Sequence, residues 1–301
     1  MPPSHVPCSC RAMQPDSPWA RLRAGVSRFG VWRTARGALA LATLQVRRPA
    51  RAAVALDGDD LQVGFDFPSQ CPSGLVLYRE LLEPDYELVR RVVGERTVVF
   101  DVGGGIGTYA MVAARRAERP VHLFEPLADN VRTVCDNLAR NDLSARVRVN
   151  ACVVTDRCGS ADLRREQNAF VTRVAEVYDD PDRGAVRAVT LDAYCAEHDV
   201  ERIDVLKIDV EGHEGRVLAG AERLLKEGRI GIVIVEMGLA FDECRAALER
   251  SGFRTFHYLD SANALVPLCA EPGHDRVSRP TAFHCNIVAV APDLELPSML
   301  G

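Results

Sequence analysis

Two short stretches concentrate the side chains able to do chemistry. The first is Asp101-Val-Gly103-Gly-Gly105-Ile-Gly107, with Glu125 eighteen residues beyond it. Glycines allow tight turns and close backbone approach to a ligand, and a helix opening just after them offers free N–H groups. Dinucleotide folds use G-x-G-x-x-G. Counted from Gly103, that pattern fails, because Thr108 stands where the third glycine is needed. The leading Asp101 can hold a cationic amino group, and Glu125 can accept hydrogen bonds from both hydroxyls of a ribose. Together they favour S-adenosylmethionine over a pyrophosphate as the ligand.

The second stretch is Lys207-Ile-Asp209-Val-Glu211-Gly-His213-Glu214. Lys207 and Asp209 lie two apart and so share a strand face; burying both is costly unless they are paired or used. His213 is the candidate general base, since an ordinary imidazole titrates near 6.5, and Glu211 and Glu214 stand beside it to orient it. The alternative is that His213 only begins a helix. Asp209, Glu211 and Glu236 form the fallback set if the reaction needs Mg²⁺; the preferred reading has no metal, with these carboxylates positioning the acceptor and Lys207. Of the other histidines, His122 reads as a core residue, His257 as a residue able to line a pocket, and His284 as the neighbour of the last strand.

The elements that must position these groups alternate. Apolar runs at 97–101, 121–125, 147–154, 203–209 and 230–235 read as strands. Helical spacing fills 109–117, 127–141, 191–198, 214–227 and 241–251. Near-continuous apolar strands between helices imply a parallel sheet covered on both faces. Two last strands, 253–258 and 283–289, pair antiparallel at one edge. Upstream, 54–80 reads as short strands and turns and 83–93 as a helix; 156–185 reads as polar and irregular.

The two motifs resemble those of the FkbM family of S-adenosylmethionine-dependent methyltransferases. Phe100-Asp-Val-Gly-Gly-Gly-Ile-Gly107, Phe124-Glu-Pro126, Asn130, Asn137, Leu206-Lys-Ile-Asp-Val-Glu-Gly-His-Glu214, Val217-Leu-Ala-Gly-Ala221 and Ile234-Val-Glu236 carry the resemblance over roughly 97–290. The family usually has Asn where Gly105 stands. The resemblance implies a class I methyltransferase fold, a Rossmann-like three-layer sandwich. It also implies O-methylation of a hydroxyl on a sugar, glycolipid or polyketide-type natural product. Asp101, Gly103, Gly105, Gly107 and Glu125 would hold the cofactor; His213, Asp209, Glu211 and Lys207 would face the acceptor. The competing readings are a dinucleotide-dependent oxidoreductase and a non-catalytic interaction module.

Composition sets the remaining limits. The 301 residues are 47% hydrophobic and 26% charged, as in ordinary globular proteins, and the net charge of −5 argues against a nucleic-acid binder. The division expected is an Arg-rich extension at 1–55, lead-in strands and a helix at 56–96, the methyltransferase domain at 97–291 and a tail at 292–301. Nine arginines against Asp16 give residues 1–52 a charge of +8, leaving −13 for the rest. Trp19, Leu22, Val26 and Phe29 recur at helical spacing within that basic stretch. The simple reading is a helix packed on the domain; the sharper one is membrane-surface contact by residues 19–44. Ten cysteines without a CxxC pair read as reduced thiols in a cytosolic protein, peripheral to the membrane if that contact exists.

Overall fold

A computed structural model describes residues 26, 30–56, 58–79, 85–165, 172–236, 241–259, 264–268 and 286–295. The elements are α1 (Val31–Arg47), β1 (Arg51–Leu56), β2 (Leu61–Asp66), α2 (Ser73–Tyr78), α3 (Asp85–Val92), β3 (Val99–Val102), α4 (Thr108–Ala114), β4 (Val121–Phe124), α5 (Ala128–Arg140) and β5 (Val147–Asn150). Then come β6 (Val153–Val154), β7 (Gly159–Arg165), β8 (Thr172–Tyr178), β9 (Val186–Val189), α6 (Leu191–Glu197), β10 (Ile203–Ile208), α7 (Glu214–Ala219), α8 (Glu222–Lys226) and β11 (Ile230–Glu236). The chain closes with α9 (Phe241–Arg250), β12 (Arg254–Leu259), β13 (Ala264–Pro267) and β14 (Asn286–Val290).

The main sheet runs β13-β12-β14-β11-β10-β3-β4-β5. Strands β5, β4, β3, β10 and β11 are parallel. Strand β14 enters antiparallel between β11 and β12, and β13 adds an antiparallel edge. The expected α/β sandwich with an antiparallel edge is therefore the observed architecture.

Strand alternation assigns each face a core. Val99, Val121, Leu123, Val205, Ile232 and Ile234 face α4, α5 and the β1–β2 hairpin. Phe100, Val102, Phe124, Leu206, Val233 and Val235 face α6, α7 and α8. By the same period of two, Asp101 and Lys207 fall on the first face, side by side in the β3–β10 register.

Several expectations need correction. The 147–154 run is not one strand: a turn at Asn150–Cys152 ends β5, and β6 starts a second sheet ordered β6-β9-β7-β8. The stretch read as irregular supplies β7 and β8 of that sheet, and α2 interrupts the stretch read as strands and turns. The 214–227 helix is two, broken at Gly220, where a Cβ would lie 2.0 Å from the Thr155 carbonyl oxygen. The division at residue 55 runs through β1, which pairs with β2 over its whole length. Of the amphipathic segment at 19–29 only Val26 is described; the helix seen is α1, further along the chain. His284 lies outside the described residues.

Candidate functional site

The carboxyl ends of β3, β4 and β10 meet the start of the small sheet around a cavity of about 250 Å³. Gly103, Gly105, Glu125, Asp209, Glu211 and His213 line it. Two sequence motifs a hundred residues apart thus share one wall.

The glycine loop is positioned by contacts that only glycines permit. Gly103 has φ +83°, and a Cβ there would lie 1.8 Å from the Asp209 carbonyl oxygen. This close approach brings the first motif onto the second. The N–H groups of Gly103 and Gly104 both donate to the Phe124 carbonyl (2.9 and 3.1 Å). Gly105, at φ +55°, faces open space. Asn137 fastens the loop from behind. Its amide donates to the Ile106 and Gly64 carbonyls (2.9 and 3.0 Å) and accepts from the Gly64 N–H (2.7 Å).

Glu125 caps β4 and is 5% exposed. One oxygen accepts from the Gly105 N–H and the other from the Leu127 N–H, both at 2.9 Å. Burial pushes its carboxyl up to about 7, with Asp101 adding to the rise and the Leu127, Gly105 and Asn130 bonds opposing it. The Gly105, Leu127 and Asn130 bonds take three of the four lone-pair sites of the carboxylate and leave one. Asp101, fully buried, accepts from the Ala110 N–H (3.1 Å) and so ties β3 to α4. Asp101 and Gly107 stand behind the cavity wall; Gly107 (φ +87°) is the N-cap of α4.

Lys207 is buried and donates to Asp209 Oδ2 at 2.8 Å. Its ammonium lies 5.3 Å from the Tyr109 ring centre. The cost of burying this charge is thus offset by an ion pair and a ring face. Neither Lys207 nor Glu236 is among the cavity-lining residues. Among the described residues, no three His, Cys, Asp or Glu side chains gather as a metal site, so Asp209, Glu211 and Glu236 are not brought together as ligands.

His213 is half-buried at the start of α7. Its Nε2 lies 3.0 Å from Thr155 Oγ1, and that hydroxyl donates to Asp156 Oδ1 at 3.0 Å. A hydroxyl has one proton, so with it on Asp156 the Nε2–H donates and Nδ1 carries the lone pair. Burial lowers the imidazole below its ordinary value, Arg216 lowers it further, and Asp156 opposes both. The orienting group is therefore Thr155. Glu214 instead turns under its own loop, accepting from the Gly212 and Val210 N–H groups (2.9 and 3.4 Å). It holds the turn in which Glu211 (φ +55°) and Gly212 (φ +94°) are left-handed.

These features, an acid-led glycine loop and a strand-end carboxylate that shares a cavity with Asp209, fall within one matched family domain. The profile described as "Methyltransferase FkbM domain" matches residues 101–255. The chain belongs to the FkbM methyltransferase family.

Two curated relatives give the scale of the similarity. The hexuronic acid methyltransferase AglP of Haloferax volcanii is 29% identical over 152 residues, covering 49% of this chain and 59% of AglP. The 31-O-demethyl-FK506 methyltransferase FkbM of Streptomyces tacrolimicus is 32% identical over 181 residues, covering 48% and 68%. The solved FkbM methyltransferase of Methylobacillus flagellatus aligns with TM-score 0.41 and 17% identity, over 72% of this chain and 53% of that one. The chain thus spans little more than half the length of AglP and of that structure.

Within the FkbM domain, sequence reading missed the wall built by the small sheet: Cys152, Val153, Val154, Leu163 and Val174. No chemical side chain marks them, only their apolar character. Burial pushes the Cys152 thiol up to about 11, which keeps it protonated. His257 is buried, with Nδ1 3.4 Å from the Asn286 carbonyl oxygen, and lies off the cavity. His122 is a core residue stacked on Phe100, its Nδ1 2.8 Å from the Tyr194 hydroxyl.

Proposed function

We propose that this chain is an S-adenosylmethionine-dependent O-methyltransferase acting on a hydroxyl of a sugar, glycolipid or polyketide-type natural product. The observation that carries the reading is Glu125: a buried carboxylate seated on the glycine loop, lining a cavity that also takes in the second motif. Membership of the FkbM family supports it, as do relatives named as methyltransferases of a hexuronic acid and of 31-O-demethyl-FK506.

The residues fit the cofactor. The open space over Gly105 leaves room for close approach, and Glu125 keeps a lone pair for a ribose hydroxyl. S-Adenosylmethionine supplies a methyl group already activated on a sulfonium. The chain's own task is then to align an acceptor hydroxyl and remove its proton. Alignment contributes several kcal/mol of barrier reduction, and a placed base about 10²–10⁴-fold in rate. His213 is that base, held neutral by burial and fixed by Thr155. Asp209 and Glu211 position the acceptor, and Lys207 holds Asp209 from behind the cavity wall.

Calorimetry with S-adenosylmethionine, S-adenosylhomocysteine and NAD tests the reading. Binding of the first two and none of NAD is expected. NAD binding without adenosylmethionine binding overturns it in favour of an oxidoreductase. Comparing metabolites with and without the gene then identifies the acceptor as the compound that loses one methylene in mass.

A further inference from the structure

Helix α1 has two apolar faces, and the protein covers one. On the inner face Gly37 is buried so closely that a Cβ would lie 2.0 Å from the Leu77 carbonyl oxygen. Leu41 and Leu44 pack around Phe65, Cys71 and Val76. The outer face of an ordinary surface helix is polar. Here Trp32, Leu39 and Val46 are 88, 70 and 85% exposed. Residues seven apart return to almost the same angle, with a drift of about 20°, so these three form one stripe. Ala35 and Ala42 are exposed between them.

The charges along this helix have one sign. No Asp or Glu occurs from residue 17 to residue 56. Arg33, Arg36, Arg47 and Arg48 are all exposed. A second copy of the chain is a poor occupant, since two such helices would oppose arginine to arginine. A folded protein partner is read through paired charges of both signs, and this helix presents cations alone. A lipid surface needs only an apolar edge, an indole at the boundary and cations at phosphate depth.

We infer that α1 docks this protein on an anionic lipid surface. Trp32, Leu39 and Val46 enter the boundary between headgroups and acyl chains, and the four arginines lie at the phosphates. The acidic remainder of the chain, at −13, is held away from the same surface, which sets the orientation. No described helix is long and apolar enough to cross a membrane, so the contact is peripheral.

The full chain carries only two tryptophans, so Trp19→Phe leaves Trp32 as the sole indole reporter. Phosphatidylcholine vesicles containing roughly a third phosphatidylglycerol should shift its emission to the blue, and brominated acyl chains should quench it. Pure phosphatidylcholine should do little. Arg33→Gln with Arg36→Gln should weaken partitioning on the order of thirtyfold, at about fivefold per cation near the surface. Leu39→Glu should abolish it. Unchanged melting temperatures would show that the variants remain folded, as their exposure predicts. No shift or quenching on anionic vesicles overturns the inference. So does an emission already blue and shielded from acrylamide without lipid: in a dimer it assigns the face to a second copy, and in a monomer to residues 1–29.

Discussion

At the scale of single residues, two glycines two positions apart do opposite jobs. A Cβ at Gly103 collides with backbone at 1.8 Å, while one at Gly105 meets nothing. Gly103→Ala should therefore abolish cofactor binding or folding, because the strain cannot be relieved by moving a flexible side chain. Gly105→Asn should be tolerated, since Asn accepts left-handed φ better than other residues; melting and calorimetry on both variants decide. Glu125 gives a pH-dependent case. Its folded carboxyl is raised to about 7 against an ordinary 4.5. Between those values the folded state holds a proton the unfolded chain has lost, so Glu125 makes stability fall as pH rises through that window. Glu125→Gln should flatten that part of the stability–pH curve. It should also weaken S-adenosylhomocysteine by about 1.5–3 kcal/mol at pH 8, where the parent carboxylate is charged. A curve of unchanged slope would show that the carboxyl titrates normally. Asp101, Glu125 and Lys207 were legible in the sequence because a charged residue in an apolar strand has to be explained. Thr155 was not, because a threonine at the end of an apolar run carries no such signal.

Among elements, the small sheet is the part that sequence left blank. Its inward residues, Ala161 and Leu163 on β7 and Val174 and Val177 on β8, do not keep a single period of two, because the β7–β8 register shifts between Asp162 and Leu163. Arginines and acids between them dilute the apolar signal further. The 147–154 run hid the reverse error, since valines recurring on either side of Arg148 and Asn150 read as one strand and do not show that the two halves join different sheets. That division has a consequence at the site. Thr155 follows directly after β6 and holds His213 of the α7 turn, so the small sheet fixes the candidate base. His213→Ala should lower the rate at saturating cofactor by about 10²–10⁴-fold with cofactor affinity unchanged. Because burial and Arg216 lower the imidazole, the acid limb of the parent rate should lie below the ordinary histidine value of 6.5, and it should vanish in the variant. Thr155→Val keeps the shape but removes the acceptor for the Nε2–H. It should cost part of that rate and move the limb, whereas a merely structural threonine would alter melting alone. Measuring at saturating cofactor separates this limb from the titration of Glu125, which acts on binding.

Across the whole molecule, the two large cores hold no residue of α1, and the satellite cluster around Phe65 depends on it. The β1–β2 hairpin is different. Leu56, Leu61 and Val63 are fully buried in the main core, and the hairpin backbone at Gly64 is held by Asn137 behind the glycine loop. The basic amino-terminal region therefore splits at residue 50, into a helix the domain can lose and a hairpin it cannot. Removing residues 1–50 should leave a folded, cofactor-binding protein. It should melt on the order of 5–10 °C lower, because uncovering Phe65, Cys71 and Val76 costs a few kcal/mol and each shifts the midpoint of a domain this size by about 2–4 °C. Cofactor affinity should fall only slightly, since Ile106 of the glycine loop touches the same cluster but keeps its bond to Asn137. Removing residues 1–66 should instead prevent folding, because it strips apolar strands from the face of the sheet that carries Asp101 and Lys207. Thermal melts and calorimetry on the two truncations check this order. If both fold equally well, the hairpin is dispensable and the glycine loop does not need its support from behind. If neither folds, α1 belongs to the core, and its outer stripe must be weighed as part of a helix the domain needs.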